Sequence, residues 1–286
     1  MKPTSRLRYA DKIDRVIAHL EHAEDVDLDQ LASVAALSPH HFHRIYRLMT
    51  GENVAETVQR VRLGRSVPEL QDESVTITAA AGASGFSTSQ SFARAFRSVT
   101  GGTASELRAG RTGLLDRLLK PASSGEPVPM PVEIVSLEPF RLLAIRNVGA
   151  YEELNKSYEA LFGAVFAELP IETLRGIWGV WHEDPRFTPA DQLHFDCAID
   201  VGDHVSPGAP VEVMEMAGGA YARQRHIGDY ASLHDTIDAL YARILVDSEH
   251  AFADRSMIVN YVDDQETRPA AELRSDVYVP LEGRGR

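Results

Sequence analysis

Three scarcities in this sequence each remove a class of explanation. It holds one cysteine, Cys197, which excludes an internal disulfide and suits a reducing compartment; the expected role is a small buried apolar side chain. No apolar run nears the length of a bilayer-spanning helix, and the first residues, MKPTSRLRYADKIDRV, lack the apolar stretch of a secretory signal. There is no phosphate-binding loop and no helical zinc signature, because His182-Glu183-Asp184-Pro185 lacks a second histidine and the other histidines show no ligand spacing. The expectation is a cytoplasmic chain with no metal, no cofactor, no membrane partner and no catalytic residues.

What is present points to two domains. A chain of 286 residues, 44% apolar and 25% charged, is long enough to bury two cores. The net charge of −13 divides unevenly: residues 1–120 carry 16 basic and 14 acidic side chains, residues 121–286 carry 13 and 28. A strongly acidic second half repels phosphate, so any nucleic-acid contact belongs to the first half. Between them, PASSGEPVPMP (121–131) has no periodicity and reads as a linker, giving domains at 1–120 and 132–286.

The first half is helical in pattern. Ile13, Val16, Ile17 and Leu20 mark a helix over 9–22. In LSPHHFHRIYRLMTG (37–51), Ser38 and Pro39 start a helix and Gly51 closes it. Phe42, Ile45, Tyr46 and Met49 share one face, with His40, His43, Arg44 and Arg47 on the other. The types recur fifty residues on at Phe92, Arg94, Phe96, Arg97, Val99, Thr100 and Gly101. A short helix precedes each, at 28–36 and 76–83, and a connecting helix runs from Asn53 to Ser66, ended or kinked by Pro68. A last helix is predicted over 108–120. Helix, turn and exposed second helix is the arrangement that places side chains in a DNA major groove.

The second half is duplicated. Strands at 132–137 and 141–148, a helix at 152–168 and strands at 176–183 and 193–201 are followed by the same order at 211–216, 221–227, 231–245, 257–262 and 276–280. Val148, Gly149, Tyr151 and Leu154 match Ile227, Gly228, Tyr230 and Leu233 at an offset of 79. Two strand–helix–strand modules about a pseudo-twofold leave a cleft suited to a small ligand. Period two puts Ile177, Gly179 and Trp181 on one face, aligned with Met257, Val259 and Tyr261.

With these motifs on the page, residues 9–111 resemble the AraC-type (AraC/XylS) DNA-binding domain through LASVAALSPHHFHRIYRLMTG, Arg62-Leu63 and GFSTSQSFARAFRSVTG. Residues 131–281 resemble the GyrI-like effector-binding domain through WGVWHEDPRFTPADQLHFDCAIDV, HIGDYASLHDTIDALY and SDVYVPL. The resemblance implies an all-α domain with two helix-turn-helix units, then an α+β domain, in a transcription regulator. Its partners would be operator DNA, a small apolar or aromatic effector and, as a further candidate, RNA polymerase. It points to His40, His43, Arg44, Ser89, Gln90, Ser91 and Arg94 as DNA-facing. Gln90 has a competing role in a capping box beginning at Ser87. The ligand set is Trp178, Trp181, Phe195, Tyr221, Val259, Tyr261 and Glu183. The family's Glu-x-Tyr reads Val259-Asn260-Tyr261 here, so its acid is absent, which also argues against a hydrolase of electrophilic molecules. That enzyme reading and a sequestering module are the alternatives.

Overall fold

A computed structural model describes residues 5–20, 27–115, 118, 132–202, 208–247 and 250–283. The linker at 121–131 lies outside them, as do residues 116, 117, 119 and 120 of the helix expected over 108–120. The chain forms two compact units: residues 9–36 with 45–126, and residues 1–8 and 37–44 with 127–286.

The helices are α1 (Ser5–Leu20), α2 (Leu28–Ala35), α3 (Pro39–Thr50), α4 (Val54–Arg65), α5 (Val67–Gln71), α6 (Ile77–Ala83), α7 (Ser89–Thr100) and α8 (Ala104–Arg108). Their ends follow local chemistry. Asp27 caps α2, and the α4 start is a reciprocal capping box in which Asn53 accepts from the Glu56 N–H and Glu56 accepts from the Asn53 N–H. Pro68 sits in the first turn of α5, where no donor is needed, so the chain ends one helix at Arg65 and starts another. Arg108 closes a helix instead of opening one, since Gly110 turns left-handed just after it. The turn Thr112–Leu114 follows, and Leu115 and Leu118 are again helical, so the helix expected from Arg108 starts later than its pattern suggested. Leu63, Leu70, Ala80, Ala81, Phe92, Phe96 and Leu107 form one buried cluster, with Phe86 packed edge-on to Phe92 at 5.3 Å.

The second half is α+β. Strands β1 (Glu133–Leu137), β2 (Phe140–Val148), β3 (Gly176–Trp181), β4 (His194–Asp200), β5 (Glu212–Met216), β6 (Gly219–Ile227), β7 (Met257–Tyr261) and β8 (Arg274–Pro280) join in the order β1-β6-β8-β7-β3-β4-β2-β5, all neighbours antiparallel. Read backwards, the order maps each strand onto its repeat partner. The twofold passes through the β3–β7 pair, where Gly179 faces Val259. Helices α9 (Leu154–Phe166) and α10 (Leu233–Asp247) pack on β2 and β4, and on β6. Equivalent side-chain hydrogen bonds tie each helix to the strand before it, Ser157 to Asn147 at 2.9 Å and His226 with Thr236 at 2.8 Å.

One pairing was not expected. The first strand of each repeat leaves its own module: β1 pairs with β6 and β5 with β2. Val135 and Leu137 of β1 and Met214 and Met216 of β5 pack on the same cluster around Val180, Ile258, Tyr221 and Tyr278. That places an apolar core on the sheet face away from α9 and α10.

Candidate functional site

The sheet's period of two decides which side chains meet. On the helix side, Trp181 packs against Tyr151 at 5.2 Å, Phe195 at 5.8 Å and His234 at 5.3 Å, all edge-on. Across the twofold, Tyr261 packs against Tyr230 at 5.0 Å and Tyr158 at 6.4 Å. Tyr151 with Trp181 and Tyr230 with Tyr261 are equivalent pairs. Gly179 makes room for the Phe195 ring: a Cβ there would stand 2.4 Å from Phe195 Cζ and 3.1 Å from the Tyr261 hydroxyl. The counterpart positions hold Val259 and Ser275, both fully buried, and Ser275 Oγ has no hydrogen-bond partner.

This cluster is nearly uncharged. Burial pushes the hydroxyls of Tyr151, Tyr158, Tyr230 and Tyr261 above the ordinary tyrosine value, so they stay protonated. Burial also lowers the His234 imidazole below its ordinary value, favouring the neutral ring. The Trp181 indole N–H lies against the Tyr261 hydroxyl without a hydrogen bond of normal geometry. The result is a set of ring faces and edges with three buried polar atoms left over among the described residues, Trp181 Nε1, His234 Nδ1 and Ser275 Oγ, suited to a flat apolar molecule carrying few polar groups.

The seven ligand residues expected from sequence do not share one lining. Trp181, Phe195, Val259 and Tyr261 belong to the helix side. Trp178 and Tyr221 belong to the opposite face, where both rings contact Tyr278, at 5.9 and 6.4 Å. The reason is parity: Trp178 is an odd number of residues from Trp181, and Tyr221 is registered opposite Pro280, not Val279. Glu183 turns away from both. Its carboxylate accepts the backbone N–H of His194 at 2.7 Å, and Asp263 does the same for Arg274 at 3.0 Å, so each acid pins the loop before β4 or β8. Tyr151, Tyr158, Tyr230 and His234 join the helix-side cluster without having been expected there; the match of Tyr151 with Tyr230 in the repeat was the signal that pointed to the first and third.

The DNA-facing set also divides. On α7, Ser89, Gln90 and Arg94 are exposed, and Arg94 and Arg97 line an open depression with Ala93 and Ser98. Thr88, not Ser87, is the N-cap, accepting from the Ser91 N–H at 3.1 Å. Gln90 therefore stands one position short of the reciprocal cap. Ser91 is half-buried and its hydroxyl donates to the Thr88 carbonyl at 2.7 Å, so it serves the cap. On α3, His43 is partly buried beside Phe42, and the His40 side chain lies outside the described residues. Arg44 is the departure. It is 5% exposed, pairs through Nη2 with Asp184 at 2.7 Å and through Nη1 with Asp238, and sits over the Tyr241 ring. Helical periodicity put it on a solvent face, and the acids that cover it lie more than a hundred residues away in sequence.

Residues 130–282 match the GyrI-like small molecule binding domain, more than half of the chain. The chain belongs to the GyrI-like family. Residues 31–110 of this GyrI-like protein match a helix-turn-helix domain. It is 28% identical over 105 residues to the probable transcriptional regulator YgiV of Escherichia coli K12, covering 36% of this chain and 66% of that one. It is 26% identical over 105 residues to the Msm operon regulatory protein of Streptococcus mutans, covering 37% of each. The GyrI-like chain thus spans less than two thirds of the length of these relatives. Among solved structures it is similar to EcmrR in an EcmrR–DNA complex, at 11% identity and a TM-score of 0.47, over 90% of this chain and 100% of that one. Among the described residues no helix is long and apolar enough to cross a membrane, and no cluster of metal-ligating side chains is found.

Proposed function

We propose that this GyrI-like protein is a cytoplasmic transcription regulator that binds operator DNA through its helix-turn-helix units and a small, largely apolar aromatic effector through its duplicated domain. The observation that carries the effector half is the ring cluster of Tyr151, Trp181, Phe195, Tyr230 and Tyr261 about the Gly179–Val259 pair. Val259 stands at the sheet centre where an acid would neutralise a cation, so neutral flat molecules are the favoured class. Cations would be held only by ring faces, at about 0.5–2 kcal/mol each. The DNA half rests on exposed Ser89, Gln90 and Arg94 at the start of α7. Gln and Arg are the side chains that pair bidentately with adenine and guanine edges. Transcription machinery, including RNA polymerase, is the further partner such a protein would engage. The protein acts by binding, not turnover.

Effector occupancy alters DNA binding only if the ligand favours one DNA-binding state over another. Titration of the full chain with Nile red, a neutral flat dye, tests the cleft. The dye should bind with quenching of indole fluorescence and be recovered unchanged. Tyr261→Ala should weaken binding about five- to thirtyfold, as expected where a ring contact of about 1–2 kcal/mol is lost. Dye binding untouched by Tyr261→Ala and Trp181→Phe would remove the cleft from the proposal, and catalytic consumption of an electrophilic probe would replace the sensor with an enzyme.

A further inference from the structure

Arg44 and Arg94 occupy equivalent places in the two helix-turn-helix sequences, yet their surroundings differ completely. Arg94 is exposed and makes no ion pair among the described residues. Arg44 is buried in a closed cluster whose members all belong to one compact unit. Asp184 binds Arg44 at 2.7 Å and Arg186 at 2.6 Å, and Asp238 pairs with both arginines, with Arg186 Nη1 at 2.8 Å. Among the ion pairs of the described residues two cations and two anions meet there, which offsets the cost of burial. His41 is held in the same unit, with Nδ1 at 2.6 Å from the Tyr241 hydroxyl and Nε2 at 2.8 Å from the Ala253 carbonyl oxygen.

An arginine committed in this way cannot present its guanidinium to a base edge. We infer that Asp184 and Asp238 act as a latch on Arg44: while the latch is closed, DNA is read through α7 alone, and opening it adds α3 as a second reader. The inference rests on the proposed DNA-binding function. Helix α10 links the latch to the effector cleft. His234, which packs on Trp181, Asp238, which binds Arg44, and Tyr241, which lies under its guanidinium, fall at i, i+4 and i+7 on one helical face. Asp184 follows Trp181 by three residues. A ligand that moves the Trp181–His234 contact therefore acts on the two elements that hold Arg44.

Four full-length variants test this on a duplex selected with the parent chain: Arg44→Ala, Arg94→Ala, Asp238→Asn, and Asp238→Asn with Arg44→Ala. Arg94→Ala should weaken binding about tenfold or more, and Arg44→Ala less than about twofold. Asp238→Asn should raise affinity at least about fivefold and lengthen the footprint, a gain that the added Arg44→Ala removes. A loss in Arg44→Ala equal to that in Arg94→Ala overturns the latch. So does a null Asp238→Asn, or a gain that survives Arg44→Ala. Phenylglyoxal labelling of the unaltered protein is independent of how the variants fold: Arg94 should react well before Arg44, and equal rates refute the inference. Failure of the parent chain to bind any duplex is a different result, because it removes the proposed function itself.

Discussion

Gly179 and Val259 face one another at the sheet centre, and the two repeats fill the space above them in opposite ways. A glycine overlain by the diagonal Phe195 matches, in the second repeat, a valine with Ser275 at the diagonal position; Phe195 and Ser275 are themselves registered opposite Trp181 and Tyr261. Phe195 is fully buried, so its ring cannot swing clear of an added side chain. Gly179→Val should therefore cost roughly 1–3 kcal/mol in urea unfolding, the usual range for overpacking. Combined with Phe195→Ser, the loss should be smaller than the sum of the single losses by about 0.5–3 kcal/mol. Strict additivity would mean that Phe195 is not what Gly179 makes room for. Period-two reading was enough to place Trp181, Val259 and Tyr261 together at this scale. It was not enough to keep Trp178 and Tyr221 apart from them, because an aromatic type was allowed to outweigh parity.

Among elements, the helix starts follow local chemistry, even where the expected cap at Ser87 and the expected start at Arg108 were displaced. Asn53, Thr76, Thr88 and Thr103 each cap through a side-chain oxygen, and the chemistry needed is present within four residues. The turn before α3 is the exception, since Ala36 adopts φ 48°, a left-handed conformation that costs a residue with a Cβ about 1–2 kcal/mol. Ala36 is exposed, so nothing but backbone strain distinguishes it from glycine there. After the entropy cost of glycine, Ala36→Gly should stabilise the protein by about 0.5–1 kcal/mol. A melting or urea midpoint that falls would show that the strain is not borne at this residue.

For the whole molecule, the most general consequence of the acidic second half is sensitivity to low pH. Asp184 is held at about 2, below the ordinary 3.8: burial alone would raise it, but the hydrogen bonds of Arg186 and the charges of Arg44 and Arg186 outweigh burial. Arg274 hydrogen bonds hold Asp263 at about 2. Asp196, paired with His182 and Arg146, and Asp276, paired with Arg225 and Arg223, are lowered in the same way against the cost of burial. A carboxylate depressed in the folded state contributes stability that is fully present above its ordinary value and is lost as pH falls through the folded one. The urea midpoint should thus be steady from neutral pH down to about 5 and drop between about 4 and 2. Asp196→Asn, which leaves the Arg44 cluster intact, should flatten part of that drop; an unchanged profile would exclude Asp196 as a contributor.

What this sequence determined alone is what local chemistry and periodicity encode: most helix starts and faces, the duplicated α+β module, and the uneven charge of its two halves. Those features depend on residues within one or two turns of each other, or on a repeat visible by offset. Only tertiary structure decided that β1 and β5 leave their own modules, because neither strand's pattern names its partner. Only tertiary structure decided that Arg44 is buried, because its exposure depends on Asp184 and Asp238, which the chain brings to it from far along its length.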